Sequence, residues 1–167
     1  MQFRHYPAER LMIASITSRL TSDENILRRW LMQRIIDHGT PFKLDGEEIE
    51  NSGPPDARSL MKGLLDKRAI VVDADNNVNF VYPVSALPTH HKVRLDDGRS
   101  FSAMCAIDAL GAAFTFNRNS RVESKCSECG QPLFVAVENG EIAELSPETA
   151  HVLHVDLNKA DNWAGSC

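Results

Sequence analysis

Two turn signals constrain the C-terminal half of this 167-residue sequence more than any other feature. "DDG" at 96–98 lies between "HHKVRL" and "RSFSAMC", and "NG" at 139–140 lies within "LFVAVENGEIAEL". Asp-Gly and Asn-Gly tolerate the positive φ that tight hairpin turns require. Each signal therefore predicts an antiparallel hairpin. Between them, "CAIDALGAAF" predicts a short helix and "SRVESK" a strand, so residues 84–167 are expected to form a small mixed α/β domain.

The first half has a helical pattern that ends in β structure. "TSDENILRRWLMQRIIDHG" predicts a helix capped by Ser22 or Asp23 and ended by Gly39. Its apolar stripe is expected to contain Ile26, Trp30, Leu31 and Ile35. "DARSLMKGLLDKR" predicts a second helix, and "AIVVDADNNVNFVYPVS" predicts a hairpin. This order predicts a winged helix-turn-helix-like domain over residues 1–83, and the fold class is α+β.

Charge argues against nucleic acid as a partner. The second predicted helix has only a mild basic excess, and the whole sequence carries a formal net charge of −5. DNA binding requires a stronger phosphate-contacting surface, so the winged helix is expected to serve for packing. No apolar run approaches the roughly 20 residues of a membrane span, and "MQFRHYPAER" lacks the apolar core of a signal peptide. We therefore expect a cytoplasmic protein that binds no membrane.

Cys105 and Asp108 form the first candidate constellation, three positions apart at the expected start of a helix. On one helix face, the thiol lies near free backbone N–H groups, which favour a thiolate, and the carboxylate lies within reach of its proton. A buried small cysteine beside a helix-start carboxylate explains the same spacing. The spacing alone favours this structural interpretation.

Cys126 and Cys129 form a single CxxC motif, "CSEC", in a predicted turn. A structural zinc site needs two further ligands, and a thioredoxin-like redox motif would begin a helix, which the following "GQP" disfavours. A weak structural metal site or a pair of free thiols remains the better interpretation. The two cysteines are therefore candidates for a structural or secondary metal site.

"FSAMCAIDALGAAFTFNRNSRVESKCSECGQPLFVAV" resembles the catalytic domain of the organomercurial (alkylmercury) lyases. The resemblance rests on "CAIDAL", on "RVESKC" at the family's interval after Cys105, and on the final "DNWAGSC". It implies an alkylmercury lyase-type catalytic domain, preceded by a winged-helix-like domain. The expected function is protonolytic cleavage of carbon–mercury bonds, giving a hydrocarbon and Hg(II), for mercury detoxification.

The resemblance also implies a role for each matched residue. Cys105 and Cys167 are expected to be catalytic and to hold the mercury of substrate and product, and Asp108 to carry the proton. Cys126 matches a cysteine regarded as structural, whereas Cys129 departs from the family pattern. No cofactor is implied, but an exogenous thiol is expected as co-reactant. Mercuric reductase is the implied acceptor of Hg(II).

The family continues beyond its second active-site cysteine, whereas this sequence ends on Cys167. Either a C-terminally truncated domain or a short homologue fits this difference. A non-catalytic mercury- or metal-binding protein, or a regulator that uses the winged helix, is the alternative function.

Overall fold

A computed structural model describes residues 15–152 of the chain. The helices in this part are α1 (Ile16–Arg19), α2 (Ser22–His38), α3 (Glu47–Ser52), α4 (Ala57–Asp66) and α5 (Ala106–Phe116). The predicted helices that begin near residues 22, 57 and 106 are confirmed. None of the helices within 15–152 has the length and apolar character needed to cross a bilayer.

The strands form one antiparallel sheet, so the described part is mixed α/β. They are β1 (Phe42–Lys43), β2 (Ile70–Val72), β3 (Asn77–Val81), β4 (Val84–Ser85), β5 (Lys92–Leu95), β6 (Ser100–Ala103), β7 (Ser120–Lys125), β8 (Pro132–Glu138) and β9 (Glu141–Ser146). The sheet order is β1-β3-β4-β6-β5-β7-β8-β9, and β2 also pairs with β3.

The hairpins predicted from the turn signals are confirmed. β5 pairs with β6 across the "DDG" turn, and β8 pairs with β9 across the "NG" turn. Gly98 has a φ of 92°, and Asn139 and Gly140 have φ values of 52° and 81°. Asn and Gly adopt this left-handed region at the lowest cost, which explains why these residues mark the turns.

Helix α2 begins with a capping box at Thr21, so the predicted cap at Ser22 or Asp23 is wrong by one or two positions. The Thr21 side chain accepts from the N–H of Glu24, and the Glu24 carboxylate accepts from the N–H of Thr21. A threonine hydroxyl and a glutamate three positions later satisfy two N–H groups that the helix leaves free. The predicted end at Gly39 is confirmed, with a φ of 66°.

The predicted apolar stripe of α2 is confirmed at Leu31 and Ile35, which lie in the core, and at Trp30, which packs against it, but it is wrong at Ile26. Ile26 is 55% exposed, whereas Leu27, Leu31, Met32 and Ile35 are buried in the core. Two charged residues, Glu24 and Arg28, are buried on the same face. The prediction for Ile26 fails because the helical period places it about 180° around the helix from Ile35, on the side opposite the buried face.

Glu24 is held by an ion pair with helix α4. Lys67, at the end of that helix, places its Nζ 2.6 Å from Glu24 Oε2. Gly63 provides the space for this contact, because a Cβ at this position would overlap Glu24 Oε1. The glutamate therefore caps α2 and joins it to α4.

The sheet continues across the position where the two domains were predicted to meet. Val84 of β4 pairs with Val81 of β3 on one side and with Ala103 of β6 on the other. The boundary between residues 83 and 84 stays a prediction, but the strands on its two sides belong to one hydrogen-bonded sheet. Through β6, this sheet positions the start of α5.

Candidate active site

Cys105 occupies the N-cap position of helix α5, and only Met104 separates it from strand β6. Its backbone is extended, with φ −142° and ψ 179°, and its carbonyl accepts the helical hydrogen bond from Ala109 at 2.9 Å. Ala109 and Ala112 are fully buried, so small side chains let the helix pack closely against the sheet. The thiol is half-buried. It therefore lies at the helix N-terminus, where free N–H groups favour negative charge.

Asp108 lies in the first turn of α5, on the same face as Cys105. The Sγ atom of Cys105 donates to Oδ2 of Asp108 at 3.3 Å. The backbone of Cys105 also acts on this carboxylate and lowers its pKa. The predicted proximity of thiol and carboxyl is therefore confirmed in the geometry. Their catalytic roles stay predictions.

Burial dominates the acidity of Asp108. It raises the pKa of this carboxyl from 3.8 to about 6, although the hydrogen bonds from Cys105 and the charge of Arg28 act in the opposite direction. Loss of hydration penalises the ionised form of a carboxyl group. Asp108 can thus hold and release a proton near neutral pH.

Arg28 of helix α2 is a further residue of the site, and the sequence predictions missed it. Its Nε and Nη2 donate to the carbonyl oxygen of Tyr82 at 3.0 and 2.6 Å. Burial lowers the pKa of Arg28 to about 10, and the nearby charges of Arg29 and Arg19 also lower it, whereas the charge of Asp108 raises it. The arginine shares a helix face with Leu31 and Ile35. A charged residue in phase with an apolar stripe was the signal that could have revealed it.

Cys126 and Cys129 lie in the turn between β7 and β8, outside the Cys105–Asp108 pair. Backbone N–H groups of Cys129 and Glu128 donate to the Cys126 sulfur and lower the pKa of its thiol. Cys129 is exposed and Cys126 is half-buried. Within residues 15–152, no three His, Cys, Asp or Glu side chains cluster as a metal site. Cys167, the predicted second catalytic thiol, lies outside the described residues.

A groove of about 530 Å³ opens at the end of the sheet where β6 leads into Cys105. It is lined by the first residues of β5 and β8, the last residues of β7 and the end of β9. Neither Cys105 nor Asp108 lines it. We therefore do not assign the reacting atoms to this groove.

Comparison with protein families gives a match for the C-terminal half. The family described as "MerB: Alkylmercury lyase" matches residues 84–167. Two curated relatives, each named alkylmercury lyase, come from Bacillus cereus and Clostridium butyricum. Each is 33% identical over 69 residues, which cover 41% of this chain and 31% of the relative. The matched region therefore spans about a third of the length of these relatives.

The similarity to a solved structure extends over more of the chain. The crystal structure of the mercury-bound form of MerB2 superposes with a TM-score of 0.57 at 25% identity. The superposition covers 80% of this chain and 64% of the MerB2 chain. A share of 80% is larger than the C-terminal half alone, so the similarity in fold includes strands and helices on both sides of residue 84.

Proposed function

This chain belongs to the alkylmercury lyase family, and on that basis we propose that it is an organomercurial lyase. In this reaction a carbon–mercury bond is cleaved by a proton, which gives a hydrocarbon and Hg(II) for detoxification. The observation that carries the proposal is the 3.3 Å contact between Cys105 Sγ and Asp108 Oδ2 at a helix N-terminus. A soft-metal ligand and a proton carrier lie side by side there.

Sulfur is the appropriate ligand for this substrate. Mercury(II) is a soft ion, and thiolates bind soft ions in preference to nitrogen or oxygen ligands. The Cys105 sulfur binds the mercury of R–Hg and donates electron density to it, which makes the bonded carbon more basic. The helix N-terminus stabilises the thiolate that forms as the proton leaves.

Asp108 takes the proton that Cys105 releases. The S–H bond breaks, sulfur keeps the electron pair and bonds to mercury, and the carboxylate becomes a carboxyl. This carboxyl then delivers the proton to carbon. The electron pair of the carbon–mercury bond becomes the new C–H bond, and mercury remains in the +2 state, so no oxidant or reductant is consumed.

The raised pKa of Asp108 suits this transfer. A carboxyl whose pKa is about 6 is ionised in much of the free protein at neutral pH, and it still accepts a thiol proton at a low cost in free energy. At the ordinary value of 3.8 the protonated state would be rarer by about two orders of magnitude. Burial of Asp108 thus supports its role as proton carrier.

The remaining components of the reaction come from the family resemblance. We propose that Cys167 supplies the second thiolate for Hg(II), that an exogenous thiol helps to release the product, and that mercuric reductase then accepts it. No organic cofactor has a role in this scheme. A cytoplasmic location fits the reduced state that the thiols need.

For residues 1–83 we propose a winged-helix-like module that packs against the catalytic half and binds neither nucleic acid nor membrane. The order of elements supports this module. A helix, a short strand, two helices and a hairpin follow one another as in winged helices, in the order α2, β1, α3, α4, β2, β3. β1 pairs with β3, which adds the short strand to the hairpin. Arg28 gives this module a positioning role, since its charge acts on Asp108.

Benzene release from phenylmercury acetate tests the function. The protein is incubated with this compound and excess thiol, and benzene is measured by gas chromatography together with protein-free controls. We expect catalytic benzene formation with an equal amount of Hg(II). Tight Hg(II) binding without benzene would instead identify a non-catalytic mercury-binding protein, and salt-sensitive DNA binding in addition would identify a regulator.

A further inference from the structure

The turn between β7 and β8 holds its two cysteines in a fixed backbone arrangement. The N–H of Cys126 donates to the carbonyl of Gln131 at 2.9 Å, and the N–H of Gly130 donates to the carbonyl of Cys126 at 2.9 Å. Gly130 closes the turn with a φ of 73°, a value that glycine adopts without strain. Both cysteines therefore belong to one closed loop of chain.

The two thiols of this turn are open to a ligand. Cys126 and Cys129 lie three positions apart within the closed loop. Cys126 is half-buried and Cys129 is exposed, and both thiols are free. The turn thus presents two sulfur ligands on one short, closed segment of chain.

The number of ligands selects the ion. Structural zinc takes four ligands, and no third His, Cys, Asp or Glu joins this pair in the part of the chain that the structure describes. A soft ion that is satisfied by two thiolates needs no further ligand. We propose that Cys126 and Cys129 form a second Hg(II)-binding site, distinct from Cys105. This inference rests on the proposed function only in its choice of mercury as the ion.

Binding at the pair is a ligand exchange. Hg(II) carried by two small thiols bonds to both cysteine sulfurs, the two cysteine protons pass to the small thiolates, and two free thiols leave. Once one sulfur is bound, the second attacks at a high effective concentration, which increases affinity by roughly 10²-fold or more over a single thiol. A monothiol in excess therefore displaces mercury from single cysteines before it displaces mercury from the pair.

Strand register places the pair close to the candidate active site. Lys92 of β5 pairs with Ser102 of β6 and with Glu123 of β7. The chain therefore leaves β6 toward Cys105 at the same end of the sheet at which it leaves β7 toward Cys126. Two strand spacings separate β6 from β7, a lateral distance of about 10 Å. Hg(II) released at Cys105 would meet these thiols at the same end of the molecule.

A chain in which Cys126 and Cys129 are the only cysteines tests the site. The sequence contains four cysteines, so Cys105→Ser combined with Cys167→Ser leaves the pair alone. The reduced protein is mixed with mercuric chloride and excess glutathione, desalted, and analysed for mercury per chain. We expect one bound Hg(II). Adding Cys129→Ser, an exposed position that the fold tolerates, should weaken retention by about 100-fold.

The matched control is Glu128→Gln in the same turn, which should keep the bound mercury. The proposal would be overturned if the chain that keeps only Cys126 and Cys129 retained no mercury. It would also be overturned if adding Cys129→Ser left the bound mercury unchanged. Benzene release by wild type and by Cys129→Ser is expected to be equal. If wild type releases no benzene while the pair retains Hg(II), the proposed lyase function fails and this site stands.

Discussion

The charge of Arg28, on helix α2, acts on Asp108, on helix α5: it lowers the pKa of the carboxyl, which burial has raised. The arginine is held in place by the carbonyl of Tyr82, just before strand β4. A residue from the first half of the chain therefore adjusts the acidity of the proposed proton carrier in the second half.

Asp108→Asn should separate mercury capture from bond cleavage. The amide has nearly the same shape, but it cannot take the Cys105 proton, so benzene release is expected to fall by about 10²- to 10⁴-fold. Binding of phenylmercury should persist because Cys105 is unchanged. Release is measured by gas chromatography, and binding by mercury analysis after desalting. Asp66→Asn, at an exposed position of α4, is the control and should retain activity. Normal turnover by Asp108→Asn would refute the proton role.

Arg28→Met should move the acidic limb of the pH–rate profile. Because Asp108 must be ionised to take the proton of Cys105, kcat/KM is expected to rise with pH through about 6. Without the guanidinium charge the pKa of Asp108 rises, so the midpoint moves to higher pH. Arg28→Lys should keep the wild-type midpoint, and so should Arg29→Met, the same change at the exposed neighbour. An unmoved midpoint in folded Arg28→Met protein would exclude a positioning role.

Asp108 should also make stability depend on pH. Its pKa is 3.8 in the unfolded chain and about 6 in the folded protein, so the folded state binds the proton more tightly. Below about pH 4 this group contributes about 3 kcal/mol to the free energy of unfolding. The contribution is lost as the pH rises to about 6. Asparagine does not ionise, so Asp108→Asn should become more stable relative to wild type as the pH rises from about 4 to about 6. Urea denaturation at about pH 4 and about pH 8 measures the free energy of unfolding of both proteins. If Asp108→Asn and wild type differ by the same amount at the two pH values, burial does not raise the pKa of Asp108.

Two glycines in helices should respond to alanine in opposite directions. Gly111, in α5, has open space where a Cβ would lie, so Gly111→Ala should stabilise the protein by about 0.5–1 kcal/mol. At Gly63 a Cβ would overlap the Glu24 carboxylate that pairs with Lys67. Gly63→Ala should therefore destabilise by about 1–3 kcal/mol. Thermal and urea unfolding measure both, and a stabilised Gly63→Ala would show that the ion pair does not need this space.

The C-terminal elements could be predicted from the sequence because their signals are local. Gly98 and Gly140 mark turns whose backbone angles few other residues adopt. Cys105 and Asp108 lie within one helical turn, so their contact follows from spacing once the helix is placed. The family resemblance added roles for these residues that spacing alone did not favour.

The contacts of Arg28 could not be predicted in the same way, because its partners are distant in sequence. Its neighbour Arg29 is exposed, and composition does not distinguish the two. The burial of Arg28 depends on the Tyr82 carbonyl, and that of Glu24 depends on Lys67. The error at Ile26 has a simpler cause, because this residue lies about 180° around α2 from Ile35 and therefore faces away from the core.

The pairing of Val84 with both Val81 and Ala103 has a consequence for protein engineering. A recombinant fragment that starts at residue 84 would lose β3 and leave the backbone of β4 open along one side, and an open strand invites self-association. It would also lack Arg28. Chimeras with a relative should therefore be joined upstream of α2, so that the helix, the strand pairing and the arginine are inherited together.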